Sequence, residues 1–487
     1  MGISLYCPEN LEIEVVIEAN PFEKNKGLKK DSLLFIIHCI MVRRASINDD
    51  HLKKKGKTEG FVPLHSKILE SKIPQYHKHI EYLEKLGIIE CDGKYIPEKV
   101  SMGYKLTDLY RDQDFKKVNI NDFKLCQKIK ADLKSKRDEA KKGLPHLIKW
   151  IETKKLMIDE VEAYKEINEY EIKKLSEINV SSLSNIQKLE AMNQLNENCK
   201  NFKILVNRIN AKDYYCHIDD TGKRLHTNLT NIPKWLRKFI TYDDQHLVSI
   251  DIKNSQPYMS ITLLKKEFWQ SVDKAQKPTL KRIYKDLYIK GMENKTEINN
   301  IIKFLDSSKT LVHRDIQKEE FIKNVVNGTF YEYLIPIFEK EGVLKSCKTL
   351  DKKRDKVKKI VLTLLFDNSN KNYNRRNDSA TQIFKRKFPT ISRIFEYIKK
   401  EDYRNLAIVL QRIESYLILE RICQRINKEK PELPLFTIHD SIITTLGNED
   451  YVKSIMEDEL IKAIGIAPQF SIEFWQQELV KNKVGAL

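Results

Sequence analysis

Paired cysteines are missing from this chain. Its eight cysteines (Cys7, Cys39, Cys91, Cys126, Cys199, Cys216, Cys347 and Cys423) are scattered through 487 residues, and no two form a Cys-x-x-Cys step. A zinc ribbon or a disulfide framework is therefore unsupported, and reduced thiols in a cytoplasmic protein are the plain reading. Long apolar runs are missing as well. The best, LLFIIHCIMV, covers ten residues, about half of what a membrane span needs, and fits a buried core helix. Glu9, Glu12 and Glu14 interrupt the N-terminus too early for a signal peptide. Tyr6 stands where a myristoylation signal has Ser or Thr. There is no internal repeat and no low-complexity segment.

What is abundant is positive charge. Lysine and arginine number 87 against 69 aspartates and glutamates, a net charge of +18. An excess of this size predicts a polyanionic partner, most simply nucleic acid. A basic surface alone leaves an anionic membrane as a rival, and no spanning segment supports it. The length allows two or three domains and a sizeable core.

The chain changes character along its length. Within residues 31–110, DSLLFIIHCIMVRR reads as a helix with Asp31 at its N-cap, and LHSKILESKI as a second short helix. Pro74 opens a third, QYHKHIEYLEKLG, which repeats Tyr76, Ile80, Leu83 and Leu86 at helical spacing and stops at Gly87. IIECDGKYIP and VSMGYKLTDLY follow as two strands around Asp92-Gly93, with a basic loop at Lys94 and Lys99. Three helices and a hairpin resemble a winged helix-turn-helix domain, here over residues 1–110. That resemblance implies Gln75, His77, Lys78 and His79 facing a nucleic acid. Residues 111–210 are lysine-rich and poor in Gly and Pro. They read as long helices, one or two over residues 141–178 and another from Ser184 to Asn210, with Ser181, Ser182 and Ser184 in the loop between. Such a hairpin is either a solvated arm or one that grips a duplex backbone. From residue 211 short strands alternate with helices, an α+β pattern.

Two stretches carry the chemistry. In LVSIDIKNSQPY, Leu247, Val248 and Ile250 lead into Asp251; in LFTIHDSIITT, Leu435, Phe436 and Ile438 lead to His439 and Asp440. Both read as short buried strands. A carboxylate at the end of such a strand is costly unless it is paired or binds a metal. Two of them, brought together, suit two Mg²⁺ ions for nucleotidyl transfer.

A set of motifs in fixed order surrounds them. TGKRLHTNLTNIP (221–233) resembles the TGRLS…NLQNIP signature of family A DNA polymerases, and LVSIDIKNSQPY resembles their motif A. RDKVKKIVLTLLFDNS resembles motif B, with Arg354, Lys358, Leu362 and Phe366 in four-residue steps along one helical face. Two cations followed by an aromatic suit a triphosphate and its base. Phe366-Asp367 stands where the family has Tyr-Gly. KFPTISRIFEYIKK resembles the segment after the fingers helix, and TIHDSIITT resembles motif C.

The resemblance, over roughly residues 212–487, implies a right-hand polymerase: palm and fingers over 211–487 and a helical thumb over 111–210. Asp251, the backbone carbonyl of Ile252 and Asp440 would hold two Mg²⁺ (or Mn²⁺) ions. Arg354, Lys358, Phe366 and Gln256 would bind the nucleoside triphosphate. Arg224, Gln411 and His439 would contact the primer-template duplex. Glu414 matches nothing in the family and reads as a surface or helix-pairing carboxylate as readily as a catalytic one. No proofreading motif is seen.

The product sugar stays open. Gln256 stands five residues after Asp251, where family A DNA polymerases have a glutamate that excludes the 2′-hydroxyl. Its amide is as long, yet can also hydrogen-bond a ribose. Ser441 follows Asp440 as in phage-type single-subunit RNA polymerases, while the Arg224 signature is of the DNA polymerase type. A bacterial, plasmid or phage-encoded DNA polymerase is the leading expectation. An RNA polymerase or primase, a template-independent nucleotidyl transferase and a non-catalytic DNA-binding replication protein are the alternatives.

Overall fold

The computed structural model describes residues 2–22, 27–47, 60–96, 101–270, 277–283, 295–308, 312–367 and 375–476. The chain divides into two compact units. One comprises Met1–Lys142, Thr153–Cys216 and Thr227–Asp244; the other comprises Gly143–Glu152, His217–His226 and Gln245–Leu487. These bounds cut across the stretches 1–110, 111–210 and 211–487 on which the sequence changes character. Among the described residues, which include all eight cysteines, there is no disulfide, and no helix is long and apolar enough to cross a membrane.

In the first unit the helix Lys30–Ala45 is central. It is apolar around most of its circumference, so Leu33, Leu34, Phe35, Ile36, Ile37, Ile40 and Met41 are all buried. Lys29, not Asp31, is its N-cap. Asp31 lies in the first turn and accepts the backbone N–H groups of Asn121 and Asp122, each at 2.6 Å. The strand Val62–Pro63, the helices Ser66–Lys72 and Tyr76–Lys85, and the strands Ile89–Cys91 and Gly103–Leu106 follow in order. The three strands form an antiparallel sheet with Gly103–Leu106 in the middle. Gln75 and His77 are exposed and Lys78 is half-buried. His79, expected to face a nucleic acid, is instead 1% exposed. Its Nε2 accepts the Lys29 backbone N–H at 3.1 Å, because position 79 falls on the same face as Ile80 and Leu83. Lys99 lies outside the described residues.

Farther along, Glu160–Asn179 and Asn185–Asn210 form an antiparallel helical hairpin. Ser184 and Gln187 close a capping box at the second helix. Glu197 on that helix forms a buried 3.0 Å ion pair with Arg44 of the central helix. Leu156–Ile158, read from sequence as part of a helix, is a strand paired with Ile240–Tyr242. The turn at Thr153-Lys154, where Lys154 has φ +58°, ends the helix Pro145–Glu152 just before it.

The second unit is organised on antiparallel strands. Phe436–Ile438 pairs with Ser441–Thr445, which pairs with Gln245–Ile252, whose other side takes Phe470–Phe474. Leu247, Val248, Ile250, Ile442 and Ile443 are buried, each worth about 1.5–3 kcal/mol of apolar transfer. The helix Glu449–Ile464 packs on this sheet, ending at Gly465, whose φ of +90° an L side chain rarely adopts. The fully buried helix Ser255–Ser260 follows the Asp251 strand. Away from the sheet, Phe388 caps the helix Pro389–Lys399 and contacts Phe321, Phe330 and Phe384 edge-on or tilted. That aromatic cluster anchors the helices next to Leu350–Phe366.

Candidate active site

Strand register brings the two aspartates together. Ile250 lies opposite Ile442, and Ile438 opposite Ser441. His439 and Asp440 therefore form a two-residue turn at the same end of the sheet as Asp251. His439 adopts φ +54°, a left-handed conformation that histidine tolerates better than most residues. Ser441 Oγ donates to Asp251 Oδ1 at 2.8 Å. Part of the Asp440 surface stays open, yet protein surrounds most of the carboxyl. That burial, then the negative charges of Asp251 and Glu414, push its pKa well above the ordinary carboxylate range. Ile252 is buried at the strand end, paired with Phe470.

Glu414 is the residue that sequence reasoning missed. It is 1% exposed, on the helix Arg404–Ser415. Arg224 reaches its Oε1 through Nε at 2.7 Å and Nη2 at 2.6 Å. Gln256 Nε2 donates to its Oε2, and Ser255 Oγ does so at 3.4 Å. Burial pushes the Glu414 carboxyl up, while the Arg224 guanidinium and the Gln256 and Ser255 hydrogen bonds draw it down. Glu414 stands four residues after Leu410 and eight after Leu406, on the buried face of the helix, and that spacing is the signal that could have found it.

The same helix clamps the loop that carries Arg224. Arg412 donates to the Thr221 and Asp220 carbonyls at 2.7 and 2.9 Å, and Ser415 Oγ to the Gly222 carbonyl at 2.8 Å. A Cβ at Gly222 would lie 2.7 Å from Gln411 Oε1 and 3.1 Å from Gln411 Cβ, so a side chain there would make Gln411 give way. Within the loop, Asp219 accepts the backbone N–H groups of Gly222 and Arg224 and lies 3.4 Å from His226 Nε2. Burial alone would raise the Asp219 pKa, but His226 and those N–H groups outweigh it and hold the carboxyl at about 2. The His226 ring stands edge-on to His439 at 6.0 Å. Asn231, Ile232 and Pro233, which end the signature, belong to the first unit.

The cationic face is a separate construction. Thr349 caps the helix Leu350–Phe366, and Val357, Val361 and Leu365 bury one side. The adjoining stripe holds Arg354, Lys358, Leu362 and Phe366, with Lys358 exposed and the others half-buried. Arg354 is engaged by the Glu332 carboxylate and lies 5.7 Å from the Tyr331 ring centre. Burial pushes the Tyr331 hydroxyl up to about 12, Arg354 draws it down, and the Asp440 charge adds to the rise. Tyr331 thus senses both Arg354 and the acidic centre, which no motif indicated.

Among the described residues, no group of three or more His, Cys, Asp and Glu side chains is gathered to cage a metal. Mg²⁺ commonly takes one or two carboxylates and completes its shell with water and substrate phosphate. Asp251 and Asp440 fit that pattern: two close carboxylates, one of them desolvated and short of a counter-charge, with Glu414 already occupied by Arg224.

Neither a protein-family model nor a curated protein matches the sequence. Among solved structures the chain is similar to the POL domain of Pol1 from M. smegmatis in complex with DNA primer-template and dNTP. The identity is 9%, the TM-score 0.39, and the match covers 72% of this chain and 74% of that one. A likeness at this level says nothing about the site.

Proposed function

We propose that the chain is a template-directed nucleotidyltransferase of the right-hand type, a DNA polymerase resembling family A, with a winged helix at its N-terminal end. The observation that carries this is the Asp251–Asp440 pair at one end of the sheet, with the Asp440 carboxyl pushed up by burial and by its neighbour's charge. In this reading residues 1–110 are the winged helix, 111–210 the thumb and 211–487 the palm and fingers. The helix order and the three-stranded sheet of residues 30–106 support the first of these.

Asp251, Asp440 and the Ile252 carbonyl hold Mg²⁺. Bound there, Mg²⁺ supplies Lewis acidity to the strand's terminal hydroxyl and to the departing pyrophosphate. Arg354 and Lys358 neutralise charge on the triphosphate, and Phe366 stacks on the base. Gln256 borders the sugar. Arg224, Gln411 and His439 face the primer-template duplex. Ser441, by bonding Asp251, keeps that carboxylate turned toward the Asp440 side. Because a serine also follows the aspartate in phage-type RNA polymerases, synthesis from ribonucleotides is the second reading.

Primer extension on a defined primer-template, with deoxynucleotides, ribonucleotides or no template, tests both. Templated extension that Asp440→Ala abolishes is expected. No incorporation under any condition, with tight nucleic-acid binding retained, would leave a binding protein only.

A further inference from the structure

Glu414 is buried, ion-paired and saturated. Its Oε1 takes both nitrogens of the Arg224 fork, and its Oε2 takes Gln256 and Ser255. Ser255 and Gln256 both stand on the helix that follows the Asp251 strand. One carboxylate therefore joins an arginine from a distant loop to the helix after the Asp251 strand.

The remaining interactions show how little else orients Arg224. Its loop backbone is clamped by Arg412 and Ser415, but those bonds fix the main chain only. Among the described residues the polar contact on the Arg224 side chain is Glu414. A guanidinium on a long stem has many rotamers, and a two-point contact narrows them before any ligand arrives.

We propose that Glu414 is a positioning residue that presents Arg224 to the primer-template duplex. This rests on the polymerase reading, in which Arg224 faces that duplex. The carboxylate does not touch the nucleic acid; it sets the direction in which the guanidinium points, and through Gln256 and Ser255 it ties that direction to the helix after the Asp251 strand.

The proposal has a distinctive sign. Removing a negative charge near a polyanion strengthens binding by electrostatics alone. Removing a positioning carboxylate weakens it. The test is fluorescence anisotropy of a labelled primer-template, without nucleotide, on the full chain: wild type, Glu414→Gln, Arg224→Gln and the double variant. Thermal midpoints accompany each measurement, because breaking a buried ion pair destabilises a fold. The double variant, which removes both charges together, covers the case in which Glu414→Gln alone does not fold.

The expected result is an affinity about tenfold weaker for Glu414→Gln, and a double variant no weaker than Arg224→Gln, since the two residues act as one unit. Tighter or unchanged binding by Glu414→Gln overturns the proposal, as does a double variant whose loss is the product of the two single losses. If Glu414→Gln does not fold but Arg224→Gln and the double variant do, a double-variant affinity well below that of Arg224→Gln overturns it equally. Extension assays on the same proteins separate this from the wider reading. A wild type that binds but never extends removes the polymerase while leaving the binding cycle to decide Glu414. A wild type that extends, with Glu414→Gln equal to it in affinity, KM and kcat, removes the positioning role alone.

Discussion

The acidic centre and the cationic helix of the second unit put charge to use in opposite ways. Asp251, Glu414 and Asp440 come from segments far apart in sequence and are brought together by the fold, where burial and the charges of Asp251 and Glu414 push the Asp440 carboxyl up. Arg354 and Lys358 are one helical turn apart on a single helix, and Lys358 faces solvent. In the first region the fold creates the site by strand register; in the second, helical periodicity creates it before any tertiary contact. Changes in the acidic centre should accordingly be severe and coupled, and changes on the helix milder and closer to additive.

The sharpest way to break the comparison is to neutralise one aspartate. Asp251→Asn or Asp440→Asn should lower the incorporation rate by on the order of 10³-fold or more, measured by single-turnover extension, with primer-template affinity kept within a few-fold. A loss below tenfold would mean the pair is structural. On the helix, Arg354→Ala should raise the KM for nucleotide about 10–100-fold, the range of a charge-assisted phosphate contact. An unchanged KM would remove Arg354 from the triphosphate site.

A smaller effect comes from the loop beside the centre. The Asp219 pKa is held at about 2, below the ordinary aspartate value, so its ionised form favours the folded state. That contribution is complete above about pH 4 and fades as pH falls toward 2. Asp219→Asn should cost about 1–2 kcal/mol near neutral pH, and the gap to wild type in urea melts should close toward pH 2. A gap independent of pH would show that the His226 contact and backbone bonds do not favour the ionised carboxylate. Smallest of all is Glu332→Gln. The Arg354–Glu332 pair is two-fifths exposed on both sides and worth about 0–1 kcal/mol. Freeing Arg354 should lower the nucleotide KM by no more than about fivefold, and a rise instead would make Glu332 a support for Arg354 rather than a competitor.

Legibility in the sequence followed the same division. The Asp251 and Asp440 strands were readable because alternation and β-branching are local, and the Arg354–Phe366 stripe because its four-residue step is local. Glu414 was only half readable: its place four residues after Leu410 puts it on the buried face of its helix, but its partners Arg224 and Gln256 lie 190 and 158 residues away in sequence. The engagement of Arg354 by Glu332 was hidden for the same reason. His77 and His79 show the limit within one helix. Both are histidines near the start of Tyr76–Lys85, but only position 79 shares the face of Ile80 and Leu83, and burial there lowers its pKa. Leu156–Ile158 looked helical between two helical stretches, and only its pairing with Ile240–Tyr242 makes it a strand.

The central claim is that Asp251 and Asp440 together form a divalent-cation site for nucleotidyl transfer. Mn²⁺ binding followed by electron paramagnetic resonance, with primer-template and an incoming nucleotide that cannot be incorporated, tests it most directly. The account predicts that wild type retains Mn²⁺ in the complex and that Asp251→Asn and Asp440→Asn each lose at least about tenfold in Mn²⁺ affinity, whereas Lys358→Ala does not. Equal Mn²⁺ affinity in wild type and both asparagine variants would contradict it.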